Sequence, residues 1–257
     1  MKKKRSIILI SILIIVSAVI YFYKPQHNKN NSYQLGVIIS IGNKDKSNIL
    51  YYNDELQKTG QKKLKIGNIA SQYDIPKTVN DKVYMIPKGV PYVNEREEVM
   101  ELDHNTQKIK LYKIGRPGLF AFDEKDGDIY FSSGNTDKIL YQMDLKKDKI
   151  SKLKLKEINP QQILPYKNKL FVTHCDLTSG MGKAISLLNP QTGESKVYKF
   201  KHNVIQCQIK EDYLYILSND SIDKYKFDGE KMHLEASSKI AIKGSWKNGY
   251  ISSFFLK

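Results

Sequence analysis

Leu170-Phe171-Val172-Thr173 opens a unit that continues with Ala184 to Asn189, turns at Pro190-Gln191-Thr192-Gly193 and leaves through Ser195 to Phe200. The first segment is a short apolar run, the second closes on an asparagine, and the third alternates lysine with apolar residues. Short runs of Val, Ile, Leu, Tyr and Phe bounded by Asn, Asp, Gly and Pro read as strands separated by tight turns. Gln161 to Pro165 supplies one more strand ahead of the unit, joined to it across Lys167-Asn168. Asn, Asp and Gly tolerate the positive φ that two-residue hairpins need.

The same unit recurs on both sides. Toward the N-terminus it reads Ile129 to Phe131, Ile139 to Asp144, the turn Leu145 to Asp148 and Ile150 to Leu155, with Gly118 to Phe122 ahead of it. Before that come Val83 to Ile86, Val99 to Asp103, the turn His104 to Gln107 and Ile109 to Ile114, and before those Val37 to Ile41, Ile49 to Tyr52 and Lys63 to Ile66. Toward the C-terminus it reads Val204 to Ile209, Tyr213 to Leu217, Ser221 to Phe227, the turn Asp228 to Glu230 and Met232 to Leu234. Four antiparallel strands per 40–45 residues is the blade of a β-propeller. The expected class is therefore all-β, with about five four-stranded blades; a β-sandwich would not need so regular a period.

Leu170-Phe171-Val172-Thr173 with Ser186-Leu187-Leu188-Asn189-Pro190-Gln191-Thr192-Gly193-Glu194 resembles the strand–strand–Asp-x-x-Thr-Gly–strand pattern of the YVTN-repeat propellers, and with them the lactonase-like and quinoprotein-dehydrogenase-like propellers. The resemblance spans about 220 residues, and copies outside this one are degenerate. The Trp-Asp dipeptide of the other large propeller class is absent, since Trp246 is the only tryptophan. The resemblance implies a ligand site near the central channel, at the starts of the inner strands, where Tyr73, Arg116, Gln162, Asn203 and Trp246 fall. It leaves open a binding module and an enzyme that would need a metal or cofactor on the axis; no cofactor is expected from the residues themselves.

The blade count leaves the ring ambiguous. Three strands open the domain and four complete blades follow. Gly244 to Trp246 would supply the missing inner strand and close five blades, leaving Tyr250 to Leu256 surplus. Alternatively, Tyr250 to Leu256 opens a sixth blade that stops short, as in a truncated propeller without present function.

Ahead of the repeats, Met1 to Arg5 carries four basic residues, and Ser6 to Tyr23, SIILISILIIVSAVIYFY, carries no charge. At about 1.5 Å per residue such a run reaches roughly 27 Å, enough for the hydrocarbon core. Basic residues favour the cytoplasmic side. The expected organisation is a cytoplasmic end at 1–5, a transmembrane signal anchor at 6–23, a polar tether at 24–32 and an extracytoplasmic domain at 33–257. The alternative is secretion after cleavage at Val16-Ser17-Ala18.

Net charge is +15, with 27% charged residues, and Arg5, Arg96 and Arg116 are the only arginines. Nucleic-acid readers favour the planar fork of Arg, so no nucleic-acid partner is expected. The partners expected are the membrane, through a single span, and an extracytoplasmic protein, peptide or cell-wall polymer, with the chain itself monomeric. Two cysteines, Cys175 and Cys207, exclude a disulfide-dense scaffold and leave one disulfide between adjacent blades as an option. With His174, Asp176 and His202 they match no zinc spacing. Asp123 to Asp128 lacks the length and distal Glu of a calcium loop and reads as a turn. Gly180 to Lys183 is no phosphate loop, and neither Gly-x-Ser-x-Gly nor His-Glu-x-x-His occurs.

Overall fold

The computed structural model describes residues 33–41, 46–65, 77–85, 97–103, 105–115, 119–133, 138–175, 182–243 and 248–257. The twenty strands among these residues form five four-stranded antiparallel sheets, the blades of a propeller. The first blade holds β1 (Leu35–Ile41), β2 (Lys46–Tyr52) and β3 (Lys58–Leu64); the second β4 (Lys77–Val79), β5 (Lys82–Met85), β6 (Glu98–Asp103) and β7 (Ile109–Lys113). The third holds β8 (Leu119–Lys125), β9 (Asp128–Ser133), β10 (Ile139–Asp144) and β11 (Lys149–Lys154). The fourth holds β12 (Pro160–Tyr166), β13 (Lys169–His174), β14 (Gly182–Leu188) and β15 (Ser195–Val204); the fifth β16 (Gln206–Lys210), β17 (Tyr213–Leu217), β18 (Ser221–Phe227) and β19 (Met232–Lys239). The last strand, β20 (Tyr250–Leu256), returns to the first blade and pairs antiparallel with β1.

That return corrects one expectation. The inner strand of the first blade is Tyr250–Leu256, not Gly244 to Trp246, so nothing is surplus and the ring of five closes without a sixth blade. The register joins Leu35 to Leu256 and Val37 to Phe254, with a bulge at Ile38/Ile39. Lys257 N–H then donates to Gln34 O at 2.8 Å. A Cβ on Gly36 would sit 2.4 Å from Phe255 Cζ, so only glycine lets that ring lie across β1. Closure pairs edges that would otherwise be open.

Turn chemistry explains the period. The third strand of each blade leads to Asn53, Asp103, Asp144, Asn189 or Asp228. The side-chain oxygen of each accepts backbone N–H groups of the turn that follows: Asn105 and Thr106 for Asp103, Lys146 and Lys147 for Asp144, Gln191 and Thr192 for Asn189, Glu230 and Lys231 for Asp228. Asn53 does the same with Gln57 N–H at 2.8 Å. A short Asx side chain reaches its own backbone two residues on. These bonds hold Asp103 and Asp228 below the usual carboxylate range; at Asp144 the Lys147 ammonium lowers the carboxyl most, and the turn N–H groups add to it. Inner hairpins turn through Asn80, Asp126-Gly127, Lys167 and Glu211, each with positive φ. Asp126-Gly127 is thus a hairpin turn, as the sequence suggested for Asp123 to Asp128.

The core lies between blades. Leu35, Val37, Tyr52 and Phe254 of the first pack on Tyr215, Leu217 and Ile222 of the fifth. Other clusters join the second blade to the third, the third to the fourth, and the fourth to the fifth. The second strands are the most deeply buried, as in Leu35–Ile41, where all seven residues are buried. That accounts for their continuous apolar runs.

Candidate functional site

The inner strands β4, β8, β12, β16 and β20 line the channel, and side chains at their free edges join neighbouring blades. Gln162 on β12 donates through Nε2 to Cys207 O and accepts from Cys207 N–H through Oε1, both at 2.8 Å. Gln206, at the matching place on β16, accepts from Phe254 N–H at 3.0 Å and from Ser253 Oγ at 2.8 Å. Gln208 adds a donation to Phe254 O at 2.6 Å and accepts from Leu256 N–H at 3.2 Å. Between the third and fourth blades Ser132 Oγ donates to Pro160 O at 3.1 Å. Between the second and third, Lys77 pairs with Asp123 at 3.0 Å. Burial raises the Asp123 carboxyl above its ordinary value, and Lys77 opposes that rise.

Of the five residues expected at the channel, Tyr73, Arg116 and Trp246 lie outside the described residues, as do the apolar segment 6–23, the tether and Asp176. Gln162 sits on an inner strand as expected, with its amide engaged by the next blade. Asn203 falls elsewhere: β15 runs on through Val204, so Asn203 ends an outer strand and the inner strand starts at Gln206.

Cys175 and Cys207 are both free thiols, the first half-buried and the second fully buried. Burial raises the Cys207 thiol far above its ordinary value. His174 is buried between Ile158 O, 2.9 Å from Nδ1, and Ser186 Oγ, 2.8 Å from Nε2. A carbonyl only accepts, so Nδ1 carries the proton and Nε2 accepts from Ser186. Among the described residues no group of three His, Cys, Asp or Glu is placed to hold a metal ion.

The described surface offers one large opening that sequence reasoning missed. It is a groove of about 800 Å³ between the outer halves of the fourth and fifth blades. Tyr198 and Phe200 of β15 face Tyr225 of β18 and Met232 and Leu234 of β19 across it. Phe200 meets Tyr225 edge-on at 5.5 Å, and Leu234 is 57% exposed. Burial, then the nearby Asp223 charge, pushes the Tyr225 hydroxyl up to about 12.

The polar end of the groove is His202, whose Nε2 lies 2.8 Å from the buried carboxylate of Asp223. Ser237 and Ser221 also bond to that carboxylate. A nucleophilic triad needs the serine on the histidine; here Ser237 and Ser221 contact the aspartate instead, and the imidazole is held in one orientation. What the arrangement offers chemically is an aromatic and aliphatic surface with a fixed His202–Asp223 pair, and Lys199, Lys201 and Lys239 also line it. The residues come from adjacent blades, His202 from β15 and Asp223 from β18, so their pairing becomes visible only once blade order is known.

No protein-family description matches the chain, and no curated protein matches it. Among solved structures, a chain in the crystal structure of the nidogen/laminin complex is similar over 86% of this chain and 97% of its own length, with a TM-score of 0.55 and 10% identity. An auxiliary nutrient binding protein from Bacteroides ovatus ATCC 8483 aligns with 79% of this chain and 57% of its own, at a TM-score of 0.46 and 12% identity. YjhT aligns with 69% of this chain and 66% of its own, at a TM-score of 0.49 and 12% identity. At 10% identity, the likeness to the nidogen/laminin chain concerns the fold alone: the chain is a five-bladed β-propeller.

Proposed function

We propose that the chain is a binding module of the YVTN-repeat kind, held outside the cytoplasm by Ser6 to Tyr23, that receives a partner's protruding segment or an extended ligand in the groove between its fourth and fifth blades. One observation carries the reading: an opening of about 800 Å³ with an aromatic and aliphatic floor and the fixed His202–Asp223 pair at one end. Binding sites are concave and mostly apolar, with a few placed polar groups. The basic end Met1 to Arg5 ahead of an uncharged run supports an orientation with the propeller outside.

The full chain in detergent, screened against arrayed peptides and glycans, tests the groove. The expected binder loses affinity by about tenfold or more, or roughly 1.4 kcal/mol, on Leu234→Asp or Phe200→Ala. It is unmoved by Leu111→Asp, which changes an exposed leucine on the second blade. A screen without a binder, or binders indifferent to both groove variants, overturns the groove. Protease added to spheroplasts should degrade the propeller; protection of the propeller would overturn the topology.

A further inference from the structure

Outermost strands show a segregation of charge that the folding rules do not require. The five of them, β3, β7, β11, β15 and β19, carry twelve lysines and one carboxylate, Glu235. Every one of those lysines is exposed. Lys196 pairs with Glu230 at 3.4 Å and Lys199 approaches Glu157 at 3.8 Å; the other ten form no ion pair with a described residue. Acidic residues instead sit in turns, as Asp103, Asp144 and Asp228 do, or inside, as Asp123 and Asp223 do.

Charged side chains on edge strands prevent edge-to-edge pairing. That accounts for charge at the rim but not for its single sign, since a carboxylate blunts an edge as well. The outer strands follow one another around the propeller, so the lysines form a belt rather than a patch. Within β11 and β15, Lys152 and Lys154, and Lys199 and Lys201, are two residues apart and so share a face, about 6.8 Å from one another at strand rise.

We propose that this belt binds a flexible linear polyanion of the phosphodiester or polyphosphate kind, which lies along the outer strands of successive blades. The inference deepens the binding-module reading and rests on it for the extracytoplasmic setting, though not on the groove. A flat anionic bilayer can touch only one or two of five outer strands at once, whereas a flexible chain follows the circumference. Duplex DNA, with a persistence length of about 150 base pairs, is too stiff to do so. Single-stranded nucleic acid draws on exposed aromatic platforms, and no aromatic residue of these strands is fully exposed among the described residues.

The experiment uses the full chain in zwitterionic nanodiscs and measures binding of long-chain and short-chain inorganic polyphosphate across a salt series. Expected are tighter binding by the long chain and an affinity that falls about a thousandfold between 50 and 200 mM salt, as for about six phosphate contacts. Neutralising Lys149, Lys152 and Lys154 to Gln on the third blade, and separately Lys58, Lys62 and Lys63 on the first, should each weaken binding and flatten the salt dependence. Circular dichroism should be unchanged, because these side chains are exposed. Equal binding of short and long chains, indifference to both triple variants, or preference for anionic vesicles or single-stranded DNA would each overturn the belt. Phe200→Ala serves as the separator, because it alters the groove lining without changing the charge of an outer strand. Polyphosphate binding that survives it supports the belt even where the groove has no ligand, and polyphosphate binding lost with it places the anion in the groove and overturns the belt.

Discussion

Gln162 in the fourth blade grips the backbone of Cys207 in the fifth as a strand would, giving one hydrogen bond and taking one, each of 2.8 Å. The inner strand of a blade has a free edge with unpaired backbone groups. A glutamine amide has the donor and acceptor to cap one residue of that edge. Gln206 repeats the device on Phe254 and so ties the fifth blade to the strand that closes the ring.

Replacing Gln162 with Leu removes both bonds and leaves buried backbone groups of Cys207 without them. Each such group costs about 1–3 kcal/mol, so a loss of about 2–4 kcal/mol in urea unfolding is expected. Gln206→Leu should cost at least as much, because Ser253 also donates to it. Variants that unfold with the parent would show that the amides are ornamental.

Ring closure makes the last strand indispensable. Phe254 is 2% exposed and belongs to the core shared by the first and fifth blades. Phe254→Ala is expected to cost about 3–5 kcal/mol. Deleting 250–257 should abolish a single cooperative thermal transition and yield aggregates on size exclusion, since it opens β1 to solvent. A monomeric deletion variant with a sharp transition would contradict the closure.

Thiol counting separates the two cysteines. Two free thiols are expected under denaturing conditions. In the native protein only Cys175 should react, because Cys207 is fully buried and its thiolate strongly disfavoured. A denatured count of zero would establish a disulfide between these residues instead.

The burial of His174 predicts a pH dependence of stability. Burial lowers its pKa, an effect only partly opposed by the Ile158 carbonyl. As pH falls, the unfolded chain therefore takes the proton first, near about 6.5. The stabilisation is full above that value and is lost progressively toward the lower folded pKa. Denaturation midpoints measured from pH 8 to pH 5 should fall, and His174→Gln should flatten the profile. The depressed carboxyls of Asp103, Asp144 and Asp228 act in a separate window: their contribution is present above about 4 and lost below it. An unchanged slope in the His174 variant would assign the first window to another group.

How much of this was legible in the sequence follows from which interactions are local. The blade period could be read because each repeat carries an Asp or Asn whose side chain bonds within four residues, as Asp144 does to Lys146 and Lys147. The five-blade count followed from it. Tyr250–Leu256 was harder to place. β20 is largely buried, as β1 is, so an apolar run fits an inner or a second strand, and only its pairing with Leu35–Ile41 decides. The site was the least legible part. Gln162 was singled out for the channel, but its partner lies 45 residues away in the next blade. The one available clue was a glutamine at matching places in β12 and β16. His202 and Asp223 gave no such clue, because they meet across a blade boundary.

Pairing between β1 and β20 also fixes an order of events. Leu35–Ile41 is the first strand of the propeller to be synthesised, and its partner Tyr250–Leu256 is the last. Until Tyr250–Leu256 emerges, a fully buried strand has one edge without its mate, and the earlier blades cannot form the interface between the first and the fifth. Contacts of such long sequence separation form slowly, and an uncovered strand edge invites association while it waits. The chain must therefore be shielded until Tyr250–Leu256 has been made, and the ring is completed in one late step, when that strand reaches back to Leu35–Ile41.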